Sequence, residues 1–310
     1  VQFEELTETT MTDPTRDLIG YGANPPDPKW PGQARIAVNF CVNYEEGGER
    51  CILNGDDRSE ERLSDVKVTS KIGRRDLNAE SSYEYGSRVG YWRILKAFTK
   101  RNLKATVNLV GVAAEKNVEA LQAMIDAGFD IQPHGWKWID FDTITIDEER
   151  AYIQQSIDQV EALTGKKPLG YYAGLPSVNT RHLAIQAGCF LYDSDVYNDD
   201  LPYWTYDYEK PHLLIPYSLD TNDSKFARGE SDYQVADEFV TYICDTFDRL
   251  YEEGEDSPKM MTIGLHARLL GRPGRIVALE RILDHMMAHD RVWICRRDDL
   301  ARHWAEHHPG

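Results

Sequence analysis

Along this chain, short β-rich runs alternate with longer stretches whose apolar residues recur at helical spacing. The pattern predicts strands at Arg35–Val42, Ala105–Val110, Phe129–Gln132, Gly170–Ala173, Cys189–Tyr192, Leu213–Pro216, Met260–Leu265 and Val292–Cys295. A helix is predicted over Val118–Ala127, closing on Gly128. A second runs over Ile146–Leu163, with Ile153, Ile157, Val160 and Leu163 on one face and a stop at Thr164-Gly165. Val235–Tyr251 and Arg275–His289 complete the set. Strand, helix, strand in succession argues for parallel pairing with helical crossovers. No GxGxxG follows any strand, so a dinucleotide fold loses its main support. A barrel of parallel strands, with its chemistry at the C-terminal strand ends, is the better architecture. The charged, apolar-poor segment Arg50–Leu77 is expected to be a surface excursion or a lid-like loop. No linker or internal repeat divides residues 16–310, which read as one domain; residues 1–15 read as a flexible extension.

Composition narrows the partners. In 310 residues, 35 basic and 52 acidic side chains give a formal net charge of −17. Such a surface repels phosphate backbones and anionic membranes, which argues against nucleic acid and membrane partners and makes a polyanionic wall polymer a poor fit. The five cysteines are scattered without a CxxC pair and are expected to be reduced thiols. No leader-like or membrane-length apolar run is recognised, so a cytoplasmic location is expected.

Three predicted strands end in polar clusters. IAVNFCV runs into Asn43-Tyr44-Glu45-Glu46-Gly47-Gly48. Adjacent carboxylates there suit acid–base work, because repulsion and burial raise one pKa; the plain alternative is a solvated acidic turn. FDIQP delivers His134-Gly135-Trp136-Lys137-Trp138, a histidine in an aromatic setting. MMTIGL delivers His266, followed by Arg268 and Arg272, cations expected to lower its pKa and make it a proton donor to a leaving nitrogen. A lone histidine is more often structural, but three ionisable strand ends on one barrel face are less easily dismissed. Further aspartates (Asp193, Asp195, Asp199, Asp200, Asp220, Asp223) follow other strands and suit a metal, a polar substrate or simply turns. His303, His307 and His308 read as a solvated polar tail.

The segments RDLIGYGANPPDPKWPGQARIAVNFCVNYEEGGE, YEYGSRVGYWRIL, HGWKWID, LYDSDVYNDDLPYW and IGLHARLLGRP together resemble the metal-independent allantoinase branch of the polysaccharide-deacetylase superfamily. The resemblance runs from Arg16 to His303. It implies an α/β fold, a distorted (β/α) barrel, and a cytoplasmic homo-oligomer, a tetramer, acting in purine catabolism on a small cyclic amide. Metal-dependent members use two aspartates on the first strand and a His-x-x-x-His pair. The resemblance puts Asn43 and Glu45 at the aspartate places, Glu46 alongside, and His134 and Trp138 at the histidine places. Indole is a donor only and cannot ligate a cation. One His and one carboxylate fall short of a catalytic zinc site, so no cofactor is expected beyond a weak divalent-cation site completed by Glu46 or the substrate.

Without a metal, side chains must activate water. Glu45, with Glu46, is expected to act as general base, His134 to orient the water or carbonyl, and His266 to protonate the departing nitrogen. Backbone N–H groups near Gly47 or Gly174 are candidate oxyanion donors. Asn43, Trp136, Trp138, Tyr172, Leu175, Asp193, Arg268 and Arg272 are the candidate substrate contacts. Leu175 stands where the allantoinase pattern has an arginine, so either Arg268 or Arg272 supplies that contact or the substrate differs. The competing readings are a polysaccharide N-deacetylase, a hydrolase of another cyclic imide or lactam, and a non-hydrolytic relative.

Overall fold

The computed structural model describes residues 16–62, 65, 69–227 and 233–310; the extension expected at residues 1–15 lies outside them. Nine strands occur among the described residues: β1 (Ile36–Tyr44), β2 (Thr106–Leu109), β3 (Asp130–Pro133), β4 (Gly170–Tyr171), β5 (Tyr192–Asp193), β6 (Tyr203–Thr205), β7 (His212–Leu214), β8 (Lys259–His266) and β9 (Val292–Cys295). The helices are α1 (Leu77–Tyr85), α2 (Tyr91–Thr99), α3 (Gly111–Lys116), α4 (Val118–Asp126), α5 (Ile146–Thr164), α6 (Thr180–Ala187), α7 (Ala236–Glu253), α8 (Ala267–Leu270), α9 (Pro273–Met287) and α10 (Arg297–His307).

β1 is the axis of the molecule. All nine of its residues are buried, as a parallel strand covered on both faces requires. It pairs in parallel with β8 along one edge; its other edge is shared by β9 near its start and β2 near its end. A second sheet runs β4-β5-β7-β6, with β6 antiparallel. The two sheets join through single hydrogen bonds: Tyr172 N–H donates to Pro133 at 3.1 Å, and Gly264 N–H donates to Thr221 at 3.1 Å. The result is a distorted barrel of one α/β domain, as the sequence leads one to expect.

The predicted helices form, with local signals doing the stopping and starting. Thr145 and Glu148 cap α5 reciprocally, and Gly165, at φ 72°, ends it. Several elements lie outside the predicted set: α1, α2, α3, α6, α8, α10 and β6. The described part of the Arg50–Leu77 segment holds an excursion packed near the site, where Lys137 reaches back to Asn54 and Asp56. The supposed polar tail is corrected: it is helix α10, with Trp304 buried and His303 bonded to the Pro28 carbonyl. Among the described residues no helix is long and apolar enough to cross a membrane, and all five cysteines are unpaired.

Candidate active site

Register assembles the site. Asn43 lies opposite His266 on β8 and opposite Asn108 on β2, while Leu109 aligns with Pro133 on β3, one residue before His134. Parallel strands in this register bring the ends of β1, β3 and β8 to one level of the barrel. They surround a cavity of about 100 Å³ lined by Asn43, Glu45, His134, Trp138, Tyr172, Gly174, Leu175, Tyr217, Leu219, Asn222 and His266.

Glu45 is the centre. Its Oε1 lies 3.3 Å from His134 Nε2 and 3.6 Å from His266 Nε2. Its Oε2 accepts from the Arg268 guanidinium at 2.6 Å. Burial alone would raise the carboxyl, but Arg268 and the two histidines hold it well below the usual range, so it stays ionised. Glu46 has the opposite fate. Burial, reinforced by Glu45 and only partly offset by Arg268, pushes it up. Glu46 does not line the cavity; its oxygens accept from the backbone N–H groups of Glu45 and Arg268, fixing both chains. One of the paired carboxylates is raised, as expected, but it is the one facing away from the cavity.

The histidines are oriented by their far nitrogens. His134 Nδ1–H donates to the Tyr172 carbonyl at 2.7 Å, so Nε2 faces Glu45, and its ring stacks on Tyr172 at 4.9 Å. His266 Nδ1–H donates to Asp223 Oδ1 at 2.6 Å, and its backbone N–H to Asp223 Oδ2 at 2.7 Å. The expected lowering of His266 by neighbouring arginines is corrected. Burial does pull it down, but the Glu45 and Asp223 carboxylates prevail and raise it to about 9. Arg268 is spent on Glu45, Glu46 and the face of Tyr83, 4.2 Å away, so its charge is answered before it reaches His266.

Other expected roles are redistributed. Neither Gly47 nor Gly174 has a spare N–H: Glu49 takes the first, and Asp195 takes the second at 2.7 Å. Gly174 is needed for space, since a Cβ there would lie 2.7 Å from the His134 ring, and its φ of 76° is left-handed. Trp138, Tyr172, Leu175 and Asn43 line the cavity, but Trp136, Asp193, Arg268 and Arg272 do not. Trp136 packs over Gly111. Asp193 pairs with Arg181 and His212 beside a different pocket. Arg272 stacks on Tyr85 at 3.7 Å and faces Asp65. Thus no arginine among the described residues lines the cavity wall near Leu175.

Tyr217 and the role of Asp223 were not singled out by sequence reasoning; the polar run after Pro216 was the signal available. The Tyr217 hydroxyl accepts from the side-chain amides of Asn43 at 2.9 Å and Asn222 at 3.1 Å. Two accepted bonds leave its own proton to donate, and burial keeps it protonated by pushing its pKa well above the ordinary value.

The positions at which metal-dependent deacetylases hold a cation do not fit one here. Asn43 Oδ1 already accepts from Asn108 at 2.8 Å. Glu45 is claimed by a guanidinium, whose charge opposes a second cation, and Trp138 offers only an N–H.

Residues 78–189 match the family described as polysaccharide deacetylase. A Schizosaccharomyces pombe protein named "Putative polysaccharide deacetylase" is 40% identical, over 95% of this chain and 98% of its own. The crystal structure of a probable polysaccharide deacetylase from Pseudomonas aeruginosa PAO1 is 51% identical, with a TM-score of 0.93, over 95% of this chain and 99% of its own. That of the allantoinase PuuE is 49% identical, with a TM-score of 0.94, over 96% of this chain and 100% of its own.

Proposed function

The chain belongs to the polysaccharide deacetylase family, and from that premise we propose that it hydrolyses a C–N bond in a small cyclic amide, without a catalytic metal. The observation carrying this reading is the ionised Glu45 set between two imidazoles in a cavity of about 100 Å³, with Trp138 where a metal ligand would stand. A cavity of that size suits a compact ring better than a polymer.

In this mechanism Glu45 takes a proton from a water in the cavity that lies beside Glu45 and His134 Nε2. Its ionisation is assured by Arg268; its low basicity is compensated by fixed orientation and by the desolvated site. The carbonyl oxygen receives the Tyr217 O–H as negative charge develops on it. His266, kept as imidazolium by Asp223 and Glu45, gives its Nε2 proton to the leaving ring nitrogen. The carboxylate of Asp223 positions that ring and stabilises its charge.

Leu175, Leu219, Tyr172 and Trp138 make much of the wall apolar. This favours cyclic amides such as hydantoins or imides with uncharged substituents, allantoin being one candidate among them. Allantoin, substituted hydantoins, cyclic imides and short chito-oligosaccharides, each assayed with and without chelator, test the reading. Ring opening that withstands chelator, and falls by ~10²-fold or more in Glu45→Gln, is the expected outcome. Zinc-dependent release of acetate from the oligosaccharides would sink it.

A further inference from the structure

The outer face of the barrel holds a second convergence of ligand-type side chains, far in chemistry from the cavity. α7 and α9 pack against each other there. Asp248 projects from α7; His285 stands in the last turn of α9, and His289 follows one turn later, just past its end. The ligand atoms of all three lie within 4.8 Å of one another.

We propose that Asp248, His285 and His289 form a divalent-cation site, of the zinc class, that clamps α7 to α9. Both imidazoles turn Nε2 toward the same carboxylate oxygen, Asp248 Oδ1, at 2.6 Å for His285 and 4.0 Å for His289. Tetrahedral zinc with bonds of about 2.0–2.1 Å to nitrogen sets neighbouring ligand atoms ~3.3 Å apart. The two distances straddle that value, so small ring rotations bring the set into coordination range. His289 Nδ1–H donates to the His285 carbonyl at 2.9 Å, which leaves the lone pair on Nε2, aimed at the cluster. Phe247 meets both imidazoles edge-on, at 5.7 and 5.1 Å, and Tyr251 meets His289 at 5.1 Å, so the rings are held by packing.

An ordinary hydrogen-bonded ion pair accounts for His285 and Asp248. It does not account for a second imidazole fixed in the tautomer that points a bare nitrogen at the same oxygen. Arg281, one turn before His285, is occupied by Asp237. The side chains are 50%, 32% and 29% exposed, which leaves water room to complete the coordination. Two imidazoles and a carboxylate suit zinc by ligand type, and the net charge of −17 favours cation accumulation.

The test is titration of the chelator-treated, desalted full chain with zinc chloride by calorimetry near neutral pH. Cobalt is added in parallel for its visible spectrum. One zinc per chain in the micromolar range is expected, with a cobalt band typical of four or five ligands. His289→Phe, which keeps the aromatic packing, and Asp248→Asn should each weaken binding by about tenfold or more. His307→Ala, in the separate histidine group of α10, should leave it unchanged. Melting curves in chelator establish that each variant is folded. No saturable uptake by the parent chain, or uptake undiminished in His289→Phe, overturns the proposal. Neither result touches the hydrolase reading, which rests on other residues.

Discussion

His266 has two carboxylates for neighbours, and they decide which way it titrates. Its pKa is raised to about 9, so it is charged at neutral pH and able to donate. The proposed mechanism needs that proton, so kcat should hold across neutral pH and fall as pH rises through about 9. Stability follows the same sign: the contribution of a raised histidine is complete below its ordinary value of 6.5 and is lost as pH climbs through about 9. Asp223→Asn removes one of the two carboxylates and should move the alkaline limb toward neutrality; a limb that stays in place removes Asp223 from the positioning role. Tyr217 carries the matching expectation for the oxyanion. Tyr217→Phe keeps the stack on Tyr172, 4.5 Å away, and should cost about 10²–10³ in kcat with little change in KM. Stopped-flow or steady-state kinetics on the ring-opening substrate separates the two parameters.

Between α1 and α2 the backbone passes through one π-helical turn, Gly86–Gly90. Such turns widen a helix locally and often mark functional sites. Here the reason is spatial: a Cβ on Gly86 would lie 2.3 Å from Glu46 Oε1 and 2.6 Å from its Cγ. The turn makes a slot for the carboxyl that anchors the chain segments carrying Glu45 and Arg268. Gly86→Ala should therefore destabilise by about 1–3 kcal/mol, through overpacking, and lower kcat as Glu45 shifts. Urea melts read beside kcat check this, and a variant unchanged in both would make the slot dispensable. YEYGSRVGYWRIL stands out as a motif, yet neither helix it spans was predicted: α2 does carry a helical stripe, Tyr91, Ile94 and Phe98, that went unread, whereas α1 carries none. In α1 the buried residues are Ala79, Ser82 and Tyr83, too few and too polar to make a stripe.

A buried cation knits the molecule together. Arg297, at the start of α10, is fully buried inside the barrel, and among the described residues its guanidinium meets no carboxylate. Its guanidinium donates instead to Asn39 at 2.8 Å, Thr262 at 3.1 Å, Ser194 at 2.8 Å and the Ile215 and Pro216 carbonyls. Asn39 and Thr262 lie in the first sheet, and Ser194 and Ile215 directly follow β5 and β7 of the second, so one side chain spans the barrel just before Tyr217. Arg297→Met fits the space but strands several buried acceptors, each costing about 1–3 kcal/mol when unpaired. A loss of roughly 3 kcal/mol or more is expected in chemical denaturation, with kcat reduced as Tyr217 loses its footing. A loss within experimental error would show the acceptors satisfied by other means. Nothing in the run Arg296-Arg297-Asp298-Asp299 sets the second arginine apart from the first; only the barrel interior makes it a plug.

The order of strands and helices was legible because apolar spacing reports the face each segment buries. So was the convergence of Glu45, His134 and His266, because parallel strands deliver their C-terminal ends to one side of a barrel. Asn43, Trp138, Tyr172 and Leu175, expected as substrate contacts, line the same cavity. What the chain alone did not reveal is how each group is already occupied. Glu45 and Arg268 lie 223 positions apart, and Asp223 and His266 lie 43 apart. Which carboxylate is held ionised, which histidine stays charged and which N–H remains to donate are settled by such distant neighbours. Charge and hydrogen-bond capacity are shared quantities, and the partners that share them meet only when the barrel forms.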